Sequence, residues 1–179
     1  MKALIIVDVQ NDFCPGGALP APDGDRVVPV INRIIDRFPL VVASRDWHPE
    51  DTVHFGKWPV HCVENTRGAE YHPDLKTDRI DVHLFKGTGN KDDGYSAFEA
   101  TSRNLEELLK EKGVTGVYIG GLTTEYCVKS TAMHSRQKGF DTFVIIDAVE
   151  GVKQNPGDVE KALDEIKEAG IGIITSDEI

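Results

Sequence analysis

Residues 3–9 read Ala-Leu-Ile-Ile-Val-Asp-Val, a nearly unbroken run of apolar and largely β-branched side chains. Such a run is typical of a strand in a parallel sheet whose two faces are both covered. Five further apolar runs have the same character, and they lie at 40–44, 82–85, 114–121, 143–146 and 171–175. The sequence therefore predicts six buried strands.

Helix signals lie between most of these runs. Apolar residues recur at helical spacing over 25–38, and helices are also expected at 102–113, where Ser102 opens a capping box, at 124–138 and at 159–169. The alternation predicts an α/β fold: a doubly wound six-stranded parallel sheet with helices on both faces. In such a sheet, ligand-binding groups gather at the carboxyl ends of the strands.

Size, charge and cysteine content narrow the class of protein. The 179 residues are expected to form a single domain spanning 1–179. With 20 basic and 30 acidic side chains, the formal charge of −10 disfavours nucleic acid and anionic membranes as partners. No apolar stretch approaches the roughly 18 residues that a membrane helix needs. Three cysteines, an odd number, suit a reducing compartment, so a cytoplasmic protein is expected.

The segment at about 46–81 interrupts the alternation of strands and helices. It holds two tryptophans, four histidines and three prolines in 36 residues, and a loop of that length inside a domain is usually functional. Its Asp46 and His48, followed by His54 and His61, form a carboxylate–imidazole set that suits zinc, iron or manganese. The competing interpretation is that these histidines only cap turns or form hydrogen bonds.

Three reactive side chains are expected where buried strands end. Asp8 follows the first strand, Lys86 the third, and Cys127 lies just beyond the fourth. Because these strand ends face one crevice, the three side chains can meet there. A carboxylate can take a thiol proton, a nearby ammonium lowers the pKa of the thiol, and the thiolate is a nucleophile. The competing interpretation is a turn cap, a solvated lysine and a core cysteine.

Aromatic residues also flank the predicted crevice. Phe13, Trp58 and Tyr95 are placed in the sequence to sandwich a flat ring, although aromatic side chains belong more often to a core. Neither Gly16-Gly17 nor Gly120-Gly121 belongs to a phosphate loop or a GxGxxG fingerprint, so dinucleotide binding has no support. The sequence thus favours a small-molecule substrate.

These motifs resemble those of a known family. Residues 4–13 read LIIVDVQNDF, 45–49 RDWHP, 58–63 WPVHCV, 85–87 FKG, 95–99 YSAFE and 121–128 GLTTEYCV. In this order they resemble the opening strand, the metal motif, the segment of the next metal ligand, the lysine segment, the Tyr-Ser-Gly-Phe segment and the cysteine motif of one family. That family is the nicotinamidases (pyrazinamidases), which are isochorismatase-like cysteine hydrolases. The resemblance runs from Ala3 nearly to Ile179, and it implies the isochorismatase-like hydrolase fold.

The resemblance implies a catalytic role for each matching residue. Cys127 would attack a carboxamide carbon, with Asp8 as its base and Lys86 holding the pair in its reactive charge state. The backbone N–H groups of Thr123 and Cys127 would form an oxyanion hole. In the family, a cis peptide precedes the residue that matches Thr123.

The resemblance also implies a cofactor and a binding wall. One divalent ion, with zinc expected ahead of iron and manganese, would be held by Asp46, His48 and His61. His54 falls at a position that varies in the family, where some members place a fourth ligand. Phe13 and Trp58 would pack against the substrate ring.

The implied function is a nicotinamidase that hydrolyses nicotinamide to nicotinate and ammonia through a cysteine thioester and also accepts pyrazinamide. One alternative is another hydrolase of the superfamily, acting on a different small amide or a vinyl ether. From another class, a non-catalytic ligand-binding module would keep the fold without the chemistry. Monomer and homo-oligomer are both compatible with the sequence.

Overall fold

A computed structural model describes residues 1–179 and contains a six-stranded sheet in which every neighbouring pair is parallel. Its strands are β1 (Lys2–Val7), β2 (Val41–Asp46), β3 (Val82–Lys86), β4 (Gly116–Leu122), β5 (Asp141–Glu150) and β6 (Gly172–Ile174). The helices are α1 (Val27–Ile34), α2 (Leu105–Glu111), α3 (Lys129–Gln137) and α4 (Asp158–Glu168). The predicted fold class is confirmed.

The strand order places a crevice at the centre of the sheet. The order is β3-β2-β1-β4-β5-β6, so the direction of the connections reverses between β1 and β4. In open α/β sheets, ligands bind outside the carboxyl ends of the strands at this switch point. The residues that follow β1 and β4 are therefore the first candidates for a functional site.

Both faces of the sheet are buried, as the apolar run of β1 predicts. Leu4 and Ile6 pack into the cluster that contains α1, whereas Ile5 and Val7 pack into the cluster that contains α2, α3 and α4. Since only one helix covers the first face, the remaining cover comes from loop residues, which include Cys62, Ala69, Leu75 and Ile80. The long loop is thus part of the core as well as part of the site.

Several helix boundaries differ from the sequence prediction. The expected helix over 25–38 is α1 between two single 3₁₀ turns, and the expected helix over 124–138 begins with a π-helical turn at Thr124–Val128. The capping box predicted at Ser102 is wrong. The side chain of Asn104 caps α2 by accepting from the N–H of Glu107, while the Ser102 hydroxyl accepts from the N–H of Phe85. A tertiary contact with the edge of the sheet therefore decides between two good cap residues.

Beyond Asp46, which ends β2, the segment 46–81 contains only single 3₁₀ turns, at Val53–Gly56, Arg67–Ala69 and Thr77–Arg79. An isolated bridge joins Gln10, just after β1, to Tyr71 and holds the loop against the carboxyl end of that strand, while a second bridge joins His48 to Val63 within the loop. Elsewhere in the chain, none of the helices combines the length and the apolar character needed to cross a bilayer.

Candidate active site

The strands bring Asp8, Lys86 and Cys127 together in the buried crevice. Asp8 follows β1 with a backbone φ of 49°, Lys86 is the last residue of β3, and Cys127 lies in the π-helical turn after β4. The Lys86 Nζ atom lies 2.8 Å from Oδ2 of Asp8 and 3.5 Å from Sγ of Cys127. Strands β3 and β1 are separated by β2, roughly two spacings of about 4.8 Å, so only a long side chain can make these contacts.

The Lys86 ammonium is fully buried and surrounded by acceptors. Besides Asp8 and Cys127, it contacts Oδ1 of Asp46 and donates a hydrogen bond of 2.7 Å to the carbonyl oxygen of Gly94. Burial disfavours an ammonium, but the carboxylates of Asp46 and Asp8 outweigh it and raise the pKa of Lys86 well above its usual value. The lysine therefore stays charged at neutral pH.

The Asp8 carboxyl and the Cys127 thiol have complementary proton affinities. Burial raises the pKa of Asp8 to about 6, against the lowering effects of Lys86 and of a hydrogen bond from Ser44. Burial also raises the pKa of Cys127 well above its usual value, although Lys86 again opposes it. At neutral pH the site therefore pairs a carboxylate base with a protonated thiol. Their oxygen and sulfur atoms lie within 4.8 Å of each other.

Three histidine rings of the long loop cluster beside this group. Ring nitrogens of His48, His54 and His61 lie within 4.8 Å of one another. The Nδ1 atoms face the carbonyl oxygen of Gly87 at 2.9 Å, Oδ1 of Asp92 at 3.0 Å and the carbonyl oxygen of Pro59 at 2.7 Å, respectively. Because these oxygens can only accept, each Nδ1 is the donor, so in the neutral ring each Nε2 keeps its lone pair. Burial lowers the pKa of His54 and His61, which favours the neutral, ligating ring.

Asp46 faces this cluster with its second carboxylate oxygen. Oδ2 lies 3.4 Å from Nε2 of His48 and 3.9 Å from Nε2 of His61. Burial opposes ionisation, but the Lys86 ammonium overcomes it and holds the pKa of Asp46 below its usual range. A carboxylate oxygen thus faces the Nε2 atoms of two rings, and the buried Nε2 of His48 has no hydrogen-bond partner. This donor set fits a divalent cation of the zinc, iron or manganese type.

A pocket opens onto both groups, with Cys127 and the three histidines in its lining. The three aromatic residues predicted from the sequence line it. The indole N–H of Trp58 donates to the hydroxyl of Tyr95 at 3.0 Å, and Phe13 packs on the ring of His61 with centroids 5.4 Å apart. Cys127 and Thr123 also line the pocket, and the Leu122–Thr123 peptide is cis, as the resemblance implies.

Several residues of the site are absent from the sequence prediction. Leu19, Tyr126 and Val152 also line the pocket, and the Tyr126 ring meets Trp58 edge to face at 4.8 Å. Tyr126 directly precedes the predicted nucleophile, so its position in the cysteine motif is a signal that the prediction did not use.

Two further buried polar residues, Ser44 and Gln10, form hydrogen bonds with the predicted site residues Asp8 and Asp46. The Ser44 hydroxyl donates to Oδ1 of Asp8 at 2.7 Å. The Gln10 side chain binds both the N–H and the carbonyl oxygen of Asp46, each at 2.8 Å. A polar residue near the end of a buried strand is the signal that identified Asp8, and it would also identify Ser44. No local signal assigns Gln10 to Asp46, because their contact depends on the pairing of β1 with β2.

Comparisons with known protein families and solved structures match nearly the whole chain. A model of the isochorismatase domain matches residues 2–178. The nicotinamidase of Escherichia coli (strain K12) is 37% identical over an alignment 201 residues long, gaps included. The alignment covers 97% of this chain and 94% of that protein. The pyrazinamidase of Pyrococcus horikoshii, solved in complex with zinc, is 44% identical with a TM-score of 0.87 and coverage of 97% and 98%. The L. infantum protein PnC1, solved in complex with nicotinate, is 34% identical with a TM-score of 0.93 and coverage of 99% and 93%.

Proposed function

Because the chain belongs to the isochorismatase-like hydrolases and, among them, to the nicotinamidase and pyrazinamidase family, we propose that it hydrolyses nicotinamide to nicotinate and ammonia. Pyrazinamide, a carboxamide on a similar flat nitrogen ring, is expected to be a second substrate. One observation carries the proposal: the ammonium of Lys86 lies against both Asp8 and Cys127, next to the histidine cluster of the same pocket.

In the first half of the proposed reaction, Asp8 takes the thiol proton as Sγ of Cys127 attacks the carboxamide carbon. Since the pKa of the thiol is raised, the thiolate forms during the attack, and the Lys86 ammonium 3.5 Å from the sulfur stabilises it. Asp8 then gives the proton to the carboxamide nitrogen. The C–N bond breaks, ammonia leaves, and a thioester joins the acyl group to Cys127.

In the second half, water attacks the thioester carbon while Asp8 accepts a proton from that water. The C–S bond breaks, and Asp8 returns the proton to sulfur. This step restores the carboxylate and the thiol. The released acid loses its own proton to ammonia, so the products are nicotinate and ammonium.

We assign the backbone N–H groups of Thr123 and Cys127 to stabilisation of the oxyanion in both tetrahedral intermediates. Both residues line the pocket at the end of β4, where the attacked carbonyl carbon must approach Sγ. Loss of one donor from such a site typically reduces kcat by about 10²–10³-fold. This element therefore contributes a substantial part of the proposed catalysis.

We further propose that residues 1–179 form one domain in which the loop at about 46–81 binds one divalent ion. Zinc is the leading candidate for this ion. The ligands would be Asp46, His48, His54 and His61. When bound, such an ion would supply a Lewis-acid centre to which a ring nitrogen of the substrate can bind. Phe13 and Trp58 would pack on the ring, with Tyr95 fixing Trp58 through its hydroxyl.

Ammonia release tests this proposal against the competing amide substrates. Zinc-loaded protein would be given nicotinamide, pyrazinamide and an aliphatic N-carbamoyl compound in separate assays. We expect kcat/KM for nicotinamide to reach at least about 10⁴ M⁻¹s⁻¹, the lower end of ordinary enzymes. Preference for the N-carbamoyl compound would move the function to another branch of the superfamily, and release from none of the three would contradict an amidase.

A further inference from the structure

Asp92 carries a hydrogen-bond network that the proposed mechanism does not use. Its Oδ1 atom accepts from the Tyr95 hydroxyl at 2.9 Å and from Nδ1 of His54 at 3.0 Å, while its Oδ2 atom pairs with the Lys57 ammonium. The side chain is 25% exposed and lies in the segment between β3 and Tyr95. One carboxylate therefore joins the metal loop to the aromatic wall of the pocket.

His54 differs from the other two histidines in what holds its ring. Nδ1 of His48 and of His61 each face a backbone carbonyl oxygen, whereas Nδ1 of His54 faces a side chain 38 positions away in the sequence. A backbone acceptor is fixed by the fold, but a side-chain acceptor can be removed by one substitution. Of the three histidine rings, His54 is therefore the one whose orientation a single side-chain substitution can change.

The segments that carry His54 and Asp92 are also joined just before this contact. The N–H of Val53 donates to Oδ1 of Asn90 at 2.7 Å, and the Thr52 hydroxyl donates to the carbonyl oxygen of Gly89 at 3.4 Å. These bonds place Asp92 against the 3₁₀ turn Val53–Gly56 that carries His54. The carboxylate is thus held in position before any ligand binds.

We propose that Asp92 is a positioning residue that fixes the Nδ1–H form of His54, aims Nε2 of that ring at the divalent ion, and couples the ion to the Trp58–Tyr95 wall. The inference deepens the proposed function, since it concerns the same site. Carboxylates that accept from a metal-binding imidazole orient the ring and raise its basicity, and their loss typically costs about 10–100-fold in metal affinity.

Zinc affinity of metal-stripped protein tests the proposal without any assay of turnover. Competition with a chromophoric chelator would compare wild type, Asp92→Ala and the matched control Asp51→Ala, which removes an exposed carboxylate from the same loop. We expect zinc binding to weaken about 10–100-fold in Asp92→Ala. The control should change it by no more than about twofold, as is usual for surface substitutions.

A second readout keeps the test independent of the variant's folding. In metal-free wild-type protein, ¹⁵N–¹H correlation of the histidine rings should show His54 protonated on Nδ1, and Asp92→Ala should lose that signature. Unchanged zinc affinity in the variant, a wild-type ring protonated on Nε2, or a wild type that binds no zinc would each overturn the proposal. The proposed amidase function is decided separately, by ammonia release.

Discussion

The Ser44 hydroxyl donates a 2.7 Å hydrogen bond to Oδ1 of Asp8. Both side chains are completely buried, at the carboxyl ends of the neighbouring strands β2 and β1. The hydroxyl stabilises the ionised carboxylate and so lowers the pKa of Asp8, while burial raises it. The balance between these two effects sets the pH at which Asp8 can act as a base.

We therefore expect kcat/KM to fall as the pH decreases through about 6, since a protonated Asp8 cannot accept the thiol proton. The sign follows from the raised pKa: an ordinary aspartate would keep activity down to about pH 4. A pH–rate profile that is flat from pH 4 to pH 8 would contradict the assignment of Asp8 as base.

Replacing Ser44 by Ala should move the acid limb upward. A hydrogen bond to a charged group is worth about 1.5 kcal/mol, which corresponds to a shift of about one pH unit. The pH dependence of kcat/KM measures this shift directly. Ser135→Ala, which removes another fully buried hydroxyl far from Asp8 in the sequence, is the matched control and should leave the limb in place. Equal profiles for wild type and Ser44→Ala would refute the role given to this hydroxyl.

Lys86 is predicted to stabilise the fold as well as the chemistry. Lys86→Met leaves the buried carboxylates of Asp8 and Asp46 without their cation, which should lower the free energy of unfolding by about 3–5 kcal/mol. Denaturant titration of metal-free protein measures the loss. Lys110→Met, which breaks the partly exposed pair with Glu106, should cost far less. A similar loss for both variants would show that the buried cluster contributes little to stability.

His48→Ala should lose the metal and raise KM. The substitution removes a ligand whose buried Nε2 atom has no hydrogen-bond partner in the protein. Elemental analysis after dialysis would report the metal content of the variant and of a His134→Ala control, which lies on α3 outside the pocket. The control is expected to keep the wild-type metal content. Unchanged metal in His48→Ala would remove this histidine from the ligand set.

The sequence predicts which side chains meet in the crevice because their signals are local. Asp8 and Lys86 stand out as polar residues at the ends of apolar strands, and the parallel arrangement of those strands makes their ends converge. Asp46 and His48 stand out because acids and histidines are uncommon at such density in a loop. Each of these signals is visible within a few residues of sequence.

The remaining contacts depend on how distant segments fold against each other. The Asp92–His54 hydrogen bond exists because the segment after β3 lies over the turn Val53–Gly56, and neither segment has a periodicity that fixes this. Similarly, Ser102 and Asn104 are both good helix caps, and only the contact of Ser102 with Phe85 decides between them. Tertiary structure therefore supplies what local sequence leaves undetermined.

The most direct test of the central claim is ammonia release from nicotinamide by wild type and by Cys127→Ala, both loaded with zinc and shown to be folded by thermal unfolding. The wild type should release ammonia and nicotinate in equal amounts. The variant should be slower by about 10⁴-fold or more, as is typical when a covalent nucleophile is lost. Cys14→Ala, a buried cysteine outside the pocket, should retain activity. Turnover by Cys127→Ala at the wild-type rate would contradict the proposed mechanism.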